Sequence, residues 1–339
     1  MGSTEEINYR EALALGNAVF IDVRSPSEFG VDHVPGAVNM PVFNDEERAL
    51  IGKIYRSLGV SEAVLRGTEI AGERVPAFFS YLMNSEKNDV VFYCARGGMR
   101  STALVSLMGA LGRRVYKLVG GYREYRCYVR QRLESLTMPA PLFTLHGLAG
   151  AGKTAIVRNV YGGLDLEEMA GHCGSVFGAL GRMPVTQKHF ESRLIGSLDG
   201  LEGRVWIVLE GESRKIGDIH LPARLVRAMD ESPAILVEAP LERRVRTILD
   251  EYGREPALPE VAALLDFIGR GLGKKRMAAL RELLARGRLD DFVALLLEWY
   301  YDPLYTFGLA KVNVVARLRY EGAGPTARKI EEIIKQMLG

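Results

Sequence analysis

The segment Gly147–Thr154, "GLAGAGKT", constrains the fold of this chain more than any other. It follows an apolar run of strand type, "LFTLH", and precedes the helical "AIVRNVYGG". The pattern G-x-x-x-x-G-K-[ST] between a strand and a helix is typical of a phosphate-binding P-loop. Its backbone amides wrap a diphosphate, its lysine neutralises the oxygens, and its threonine can hold Mg²⁺. We therefore predict a diphosphate site formed by Gly147, Gly150, Gly152, Lys153 and Thr154.

The P-loop identifies a diphosphate but not the group attached to it. ATP is the usual occupant, and a prenyl diphosphate presents the same anionic group. Three acidic residues are candidates for the metal side of the site. Glu210 ends the apolar run "VWIVLE", Glu212 lies just beyond it, and Asp165 lies in "LDLEE".

The apolar runs form two α/β series separated by a break at 136–141, "LTMPAP". Two prolines mark that break as a linker, and the length of 339 residues favours two domains. We predict one domain at 1–138, with a helical insertion at about 45–85, and another at 139–339 that is helical from about 255. The other predicted strands, which have the apolar character of buried parallel strands, are Ala18–Val23, Asp89–Cys94, Arg114–Val119, Val205–Glu210, Ala234–Pro240 and a short one near "KVNVVA".

A second glycine-rich loop, "CARGGMRS" at Cys94–Ser101, joins a predicted strand to the apolar helical run "TALVSLMGALG". Gly97 and Gly98 let the backbone curl so that successive amides point inward and form an anion nest. Together with Arg96 and Arg100 these amides favour the thiolate, and cysteine pKa values in such surroundings fall from about 8.5 to roughly 3.5–7.5. We predict a nucleophilic Cys94 with Arg96 and Arg100 as catalytic partners, in a loop completed by Gly97, Gly98 and Ser101.

Basic residues cluster in two segments although the net charge is only +2. The stretch at 113–132 combines arginines with four tyrosines and one acid, and the stretch at 270–288 has one acid among seven basic residues. Such clusters are the electrostatic footprint of a polyanionic partner. The residues we assign to that partner are Arg123, Arg126, Arg130, Lys274, Lys275 and Arg276.

The composition is that of a globular protein, 47% hydrophobic and 25% charged. No apolar stretch is long enough to cross a bilayer, and the acidic first residues lack the features of a signal peptide. The three cysteines, Cys94, Cys127 and Cys173, have neither metal-type nor disulfide-type spacing. We expect a cytoplasmic protein that has no membrane partner, with Cys127 as a packing residue.

Four segments in order resemble a rhodanese domain: "IDVRSPSEF", "HVPGAVNMP", the cysteine loop and "LVGGYREY". The resemblance implies a fold in which an N-terminal rhodanese-like domain precedes a P-loop NTPase-like α/β domain with a helical C-terminal region. Rhodaneses carry sulfur as a cysteine persulfide, and related phosphatases use the same cradle for phosphate. Arg100 lies six residues after Cys94, the longer loop of the phosphatase branch. That wider cradle suits selenium, selenophosphate and phosphate alike.

The pairing of both loops with further segments closely resembles the bacterial tRNA 2-selenouridine synthases. Those segments are "LDLEEMAGHCGSVFGALG", "PVTQKHFESRL", "EGESRKIGDIHLP" and "YYDPLY". Cys173 departs from the family pattern, because we expect a basic residue before Gly-Ser.

The resemblance implies conversion of 2-thiouridine to 2-selenouridine at the wobble position, position 34, of tRNAs for lysine, glutamate and glutamine. In the implied reaction, a geranyl group from geranyl diphosphate is first transferred to the sulfur. Selenium from selenophosphate then replaces the whole geranylthio group. The resemblance thus implies a selenotransferase with geranyltransferase activity and without a tightly bound cofactor. A selenophosphate-supplying enzyme is a compatible partner. Cys94 would handle selenium, either in a perselenide or by attack on selenophosphate, and the P-loop would hold the geranyl donor with Mg²⁺ at Thr154.

The family-like segments supply further candidates. Tyr301 and Tyr305 could stack on an unpaired base of the anticodon loop, and the basic residues would follow tRNA phosphates. The candidates for the geranyl or nucleoside pocket, in addition to the three acids named above, are His172, Ser175, Gln187, Arg193, Ser213 and Arg214.

Three other functions are compatible with the two loops. A phosphatase fused to a nucleotide kinase or ATPase would use both, a tRNA sulfurtransferase would deliver sulfur in place of selenium, and a non-catalytic tRNA-binding protein would use its P-loop as a switch. The residues alone do not choose between ATP and geranyl diphosphate, or between one active site and two.

Overall fold

The structure is a computed structural model that describes residues 4–85, 89–211, 213–252, 258–309 and 312–339. The chain divides into two compact units. The first comprises Met1–Ser135 with Glu191–Ile195, and the second comprises Leu136–Phe190 with Gly196–Gly339. Both contain a five-stranded sheet whose neighbouring strands run parallel, which confirms the predicted α/β class.

The first unit has the strand order β1-β5-β4-β2-β3. Its central strands are buried on both faces, as their continuous apolar sequences predict, and Ile21 and Val91 are fully buried. Because parallel strands end at the same edge, the residues that follow β2 and β4 lie side by side. The strands are β1 Thr4–Ile7, β2 Ala18–Asp22, β3 Val38–Asn39, β4 Asp89–Tyr93 and β5 Val115–Leu118.

Helices with defined N-terminal caps surround this sheet. Asn8 and Asn44 each accept a hydrogen bond from the third residue of the helix that they begin. The predicted insertion at about 45–85 is a set of three helices, α3–α5. The helices are α1 Tyr9–Ala14, α2 Pro26–Val31, α3 Asp45–Ser57, α4 Val60–Gly72, α5 Val75–Asn84, α6 Met99–Ala110 and α7 Gly121–Glu134.

The second unit has the strand order β12-β11-β6-β8-β7 and a separate antiparallel hairpin, β9–β10. Buried Ile156 and Val157, and Ile330 and Ile334, pack against the apolar side chains of its sheet. The strands are β6 Leu142–His146, β7 Gly163–Leu164, β8 Ile207–Glu210, β9 Lys215–Ile216, β10 Ile219–His220, β11 Ala234–Glu238 and β12 Val314–Arg319.

Most of the second unit's C-terminal half is helical and has its own apolar core, which includes Leu265, Leu280 and Leu297. A π-helical turn, Leu297–Tyr301, connects α15 to α16. None of the helices in the described part of the chain could span a membrane. The helices are α8 Lys153–Val157, α9 Leu166–Ala170, α10 Gln187–Asp199, α11 Ala223–Glu231, α12 Leu241–Tyr252, α13 Leu258–Leu272, α14 Lys274–Ala285, α15 Leu289–Leu296, α16 Asp302–Leu309 and α17 Ala323–Leu338.

Candidate active sites

Cys94 directly follows β4, at the carboxyl edge of the first sheet, and is 3% exposed. The Ser101 hydroxyl donates to its Sγ at 3.3 Å from the first turn of α6. Burial raises the pKa of the thiol, but this bond, the backbone N–H groups of Ser101 and Arg96, and the Arg100 guanidinium together bring the pKa below its ordinary value. The loop therefore favours a thiolate nucleophile.

Two arginines flank this thiol in different ways. Arg96 is exposed, whereas Arg100 is half-buried and its Nη1 lies 3.2 Å from Glu28 Oε2. Burial raises the pKa of the Glu28 carboxyl, but Arg100 and Arg48 outweigh it and hold that pKa below its usual value. A bound oxyanion would therefore compete with Glu28 for Arg100.

The segment "LVGGYREY" forms the platform under the cysteine loop. A Cβ on Gly121 would lie 2.2 Å from the Cys94 carbonyl oxygen, and one on Gly97 would lie 2.9 Å from the Gly120 nitrogen. Glycine is required here because the two backbones touch. The Tyr122 N–H then donates to the Cys94 carbonyl at 2.9 Å.

A buried polar network supports that platform. The Arg24 guanidinium donates to Asp22 at 2.6 Å and to the Asp32 carbonyl at 2.7 Å. The Tyr122 hydroxyl donates to Asp32 at 2.8 Å, and its ring centroid lies 3.9 Å from Arg24 Cζ. Asp22 and Arg24 of "IDVRSPSEF" thus position Tyr122, which belongs to the segment beneath the cysteine loop.

The P-loop follows β6 in the second unit, as predicted. A Cβ on Gly147 would lie 2.5 Å from the Val237 carbonyl oxygen, one on Gly150 would lie 2.6 Å from that of Arg244, and one on Gly152 would lie 2.5 Å from the Tyr320 ring. Close packing therefore requires all three glycines. Lys153 Nζ donates to the Gly147 carbonyl at 3.2 Å.

Oxygen donors gather beside Thr154. Its hydroxyl lies 3.4 Å from Glu167 Oε2, and Glu210, only 2% exposed, ends β8 in the same cavity. Hydroxyl and carboxylate oxygens are the ligands that Mg²⁺ prefers, so these residues fit the ion. Asp165 instead caps α9 and pairs with Arg158 at 2.6 Å, and Glu212 lies outside the described residues.

Cys173 also lines this cavity, and its protonated thiol is a hydrogen-bond donor there. Its Sγ donates to Glu251 Oε1 at 3.1 Å, and burial and the two carboxylates Glu251 and Glu167 raise its pKa far above the ordinary value. The ligand atoms of these three residues lie within 4.8 Å of one another. A protonated thiol is not a magnesium ligand, so the oxygen donors beside Thr154 remain the better fit for Mg²⁺.

The cavity beside the P-loop has a volume of about 140 Å³ and a mainly apolar wall. Lys153, Thr154 and the acids lie at its polar part. The apolar part is formed by α12–α15, by the π-helical turn and by the loop that follows α9. It includes Phe177, Leu180, Ile248, Leu249, Val261, Leu284, Leu289, Phe292, Val293, Leu296 and Leu297. This arrangement suits an amphiphile with an anionic head and a hydrocarbon tail.

A buried arginine that sequence reasoning missed connects the P-loop to "YYDPLY". Arg244, 3% exposed, donates from Nε to the Ala149 carbonyl at 2.8 Å. Its two Nη atoms donate to Asp302 at 3.0 and 2.5 Å. No local sequence pattern marks Arg244, because its partners are far away in the chain.

The other predicted pocket residues fall into two groups. Ser175 lines the cavity and lies 3.3 Å from the Tyr252 hydroxyl. His172 accepts from the Gly174 N–H, Gln187 holds the His220 backbone, and Ser213 donates to the Lys215 carbonyl. These three residues lie outside the cavity wall, as do the half-buried Arg193 and the exposed Arg214.

The predicted tRNA residues differ in exposure. Arg123, Arg130, Lys274, Lys275 and Arg276 are exposed. Arg126 is only 9% exposed and its Nη2 lies 2.5 Å from Glu191, so its charge is neutralised within the first unit. Tyr301 and Tyr305 line the P-loop cavity, and Tyr301 is 8% exposed, so stacking on a base stays a prediction for them.

Comparison with known proteins gives matches over both units. A family model of the rhodanese-like domain matches residues 8–126, and one of the "tRNA 2-selenouridine synthase AAA domain" matches residues 140–324. Proteins named tRNA 2-selenouridine synthase are similar over most of the chain. Those from Sulfurovum sp. (strain NBC37-1), Bdellovibrio bacteriovorus and Bordetella petrii are 34%, 36% and 35% identical. The matches cover 71%, 70% and 72% of this chain and 68%, 65% and 67% of those proteins, so the chain spans about two thirds of their length.

Proposed function

The chain belongs to the tRNA 2-selenouridine synthase family, and we propose that it converts 2-thiouridine at the tRNA wobble position to 2-selenouridine through an S-geranyl intermediate. The proposed co-substrates are geranyl diphosphate and selenophosphate. The proposed acceptors are the tRNAs for lysine, glutamate and glutamine, and the proposed location is the cytoplasm. The observation that supports this most strongly is the apolar cavity beside the P-loop.

The cavity favours geranyl diphosphate over ATP. An adenosine in its apolar part would bury ring nitrogens and ribose hydroxyls without enough polar partners, and each costs about 1–3 kcal/mol. A hydrocarbon tail instead gains about 0.8 kcal/mol for each buried methylene. We assign the diphosphate to Lys153 and the loop amides, and Mg²⁺, held by Thr154 with Glu167 and Glu210, would neutralise charge on the diphosphate.

We assign the selenium step to the cysteine cradle. The Cys94 thiolate attacks the phosphorus of selenophosphate, so an S–P bond forms, the P–Se bond breaks and selenide leaves with the electron pair. The loop amides and Arg100, which is released from Glu28, hold the phosphoryl oxygens. Water then hydrolyses the S–P bond, which releases phosphate and restores the Cys94 thiol. Selenide adds at C2 of the alkylated base and the geranylthiolate leaves.

The experiment is nucleoside mass spectrometry of a 2-thiouridine tRNA incubated with the protein, Mg²⁺, geranyl diphosphate and selenophosphate. We expect geranylthiouridine without selenophosphate and selenouridine with it. Thiophosphate in place of selenophosphate, with tRNA that is already geranylated, tests the sulfurtransferase alternative, because delivered sulfur would return the base to 2-thiouridine. An unchanged base, together with phosphate release from a generic aryl phosphate, would contradict the proposal and support the phosphatase–kinase alternative.

Calorimetry tests the occupant of the P-loop separately. Affinity should rise from inorganic pyrophosphate to dimethylallyl diphosphate to geranyl diphosphate, because each added methylene is buried. ATP should bind more weakly than geranyl diphosphate. An affinity independent of tail length would assign the cavity to another ligand.

A further inference from the structure

Two tyrosine rings form the wall of the cavity beside the P-loop lysine. Lys153 Nζ lies 5.5 Å from the centroid of the Tyr305 ring, and the ring of Tyr301 lies 6.5 Å from that of Tyr305. Both side chains line the cavity. The face of an aromatic ring attracts cations within about 6 Å of its centroid. The wall therefore already holds a positive charge next to the predicted position of the diphosphate.

The segment that carries both tyrosines is linked to the P-loop. Tyr301 ends the π-helical turn Leu297–Tyr301, and Asp302 is the next residue. The Arg244 guanidinium binds the Asp302 carboxylate and the Ala149 carbonyl of the P-loop at once. Single π-helical turns are rare and occur frequently at functional sites. The π-helical turn and α16 thus carry the two rings that line the cavity.

Prenyl transfer creates a positive charge where these rings lie. The bond between C1 and the diphosphate oxygen breaks and its electron pair leaves with pyrophosphate. Positive charge develops on the allylic carbons, the thiouridine sulfur forms the new bond to C1, and the N3 proton passes to water. An apolar wall alone would disfavour this charge. Ring faces stabilise it electrostatically and, unlike carboxylates or water, do not compete with the sulfur as nucleophiles.

We propose that the ring face of Tyr305, supported by the neighbouring ring of Tyr301, stabilises the developing allylic cation, and that Tyr305 is a catalytic residue of the alkylation step. This rests on the proposed function, in which a prenyl diphosphate occupies the cavity. When the diphosphate binds, Lys153 moves to its oxygens and leaves the face of Tyr305 to the allylic carbons. The phenol hydroxyl takes no part.

The test measures single-turnover geranylation of 2-thiouridine tRNA and, by calorimetry, the affinity for geranyl diphosphate. Tyr305→Phe should keep the rate within about threefold because it keeps the ring. Tyr305→Leu should lower the rate about 30-fold with affinity within about threefold, since a desolvated cation–π contact contributes that much. Phe307→Leu is the control for loss of a ring on the same helix, because Phe307 is 70% exposed. It should leave both quantities unchanged.

Ring fluorination separates electrostatics from packing. Phenylalanine with one, two or three ring fluorines at position 305 keeps the shape but weakens the negative face step by step. We expect the logarithm of the rate to fall linearly with fluorine number while affinity stays constant. This series also applies if Tyr305→Leu does not fold.

The outcomes distinguish the two proposals. If the wild-type protein binds and transfers geranyl but fluorination leaves the rate unchanged, the role of the rings is refuted and the proposed function stands. A Tyr305→Leu variant that loses affinity and rate equally would make Tyr305 a binding residue only, which also refutes it. If wild type neither binds nor transfers geranyl, the proposed function fails and the inference fails with it.

Discussion

At the scale of single residues, the two buried cysteines of this chain have opposite chemistry for physical reasons. Both are largely removed from water, which disfavours a thiolate. Cys94 accepts hydrogen bonds and faces Arg100, so its pKa falls. Cys173 faces the carboxylates Glu251 and Glu167, so its pKa rises. Neighbouring groups, more than burial, decide the direction in which each thiol pKa departs from its ordinary value.

The Ser101 hydroxyl is expected to help keep the pKa of the Cys94 thiol low. Because the folded pKa of Cys94 is lowered, its thiolate persists below the ordinary cysteine pKa and is lost only as pH falls through the lowered value. Ser101→Ala removes a hydrogen bond to sulfur and should raise this pKa, so that alkylation by iodoacetamide at pH 7 slows about threefold to tenfold. Mass spectrometry of the labelled peptides over a pH series measures this. Cys173 should stay unlabelled in both proteins. If the dependence of Cys94 labelling on pH were the same in both, the role of Ser101 in lowering the thiol pKa would be contradicted.

The second prediction tests the glycine platform. Gly121 and Gly112 both have positive φ, 59° and 84°, so alanine at either costs roughly 1–2 kcal/mol for conformation. A Cβ at Gly112 meets nothing within 4 Å, whereas one at Gly121 would lie 2.2 Å from the Cys94 carbonyl oxygen. Gly121→Ala should therefore lower the free energy of unfolding by about 1–3 kcal/mol more than Gly112→Ala does. Equal losses in urea denaturation would mean that the loop does not rest on Gly121.

At the scale of elements, Arg244 in α12 links the P-loop to the first residue of α16. Asp302→Asn keeps the shape of the side chain but removes one charge of a largely buried pair. We expect the free energy of unfolding to fall by about 2–4 kcal/mol and geranyl diphosphate to bind more weakly. Arg227→Gln is the control, because the Arg227–Glu231 pair is 80% and 69% exposed and should cost under about 1 kcal/mol. Similar losses for both variants would contradict the structural role of Arg244.

Elements with strong local signals were predictable from the sequence, and those that depend on distant partners were not. The strands β2, β4, β6, β8 and β11 are apolar runs, and both glycine loops are contiguous motifs. Strand β1, "TEEI", escaped prediction because it is an edge strand in which the neighbouring Glu5 and Glu6 are exposed and Ile7 is buried. The metal-side acid is another example. The predicted Asp165 is engaged as a helix cap, whereas Glu167 contacts Thr154 only because β7 and α9 return to the P-loop.

At the scale of the whole molecule, tRNA binding should depend on the exposed basic residues that begin α14. Each neutralised phosphate contact contributes about 0.7–0.9 to the slope of log affinity against log salt. The double variant Lys274→Gln/Lys275→Gln should therefore reduce this slope by about 1.5. Arg224→Gln/Arg227→Gln removes the same charge from exposed positions on α11 and should leave the slope unchanged. Equal effects of the two variants in filter-binding titrations would mean that the basic residues at the start of α14 have no specific role in tRNA binding.

The central claim is that the two anion cradles catalyse successive steps, alkylation at the P-loop and selenium transfer at Cys94. The most direct measurement is nucleoside mass spectrometry of Cys94→Ala and Lys153→Ala, each given thiouridine tRNA or tRNA already geranylated by the wild type. Cys94→Ala should stop at geranylthiouridine with either substrate. Lys153→Ala should leave thiouridine untouched yet convert the geranylated tRNA to selenouridine. If Lys153→Ala fails on the geranylated tRNA as well, or if Cys94→Ala still forms selenouridine, this division of steps between the cradles is wrong.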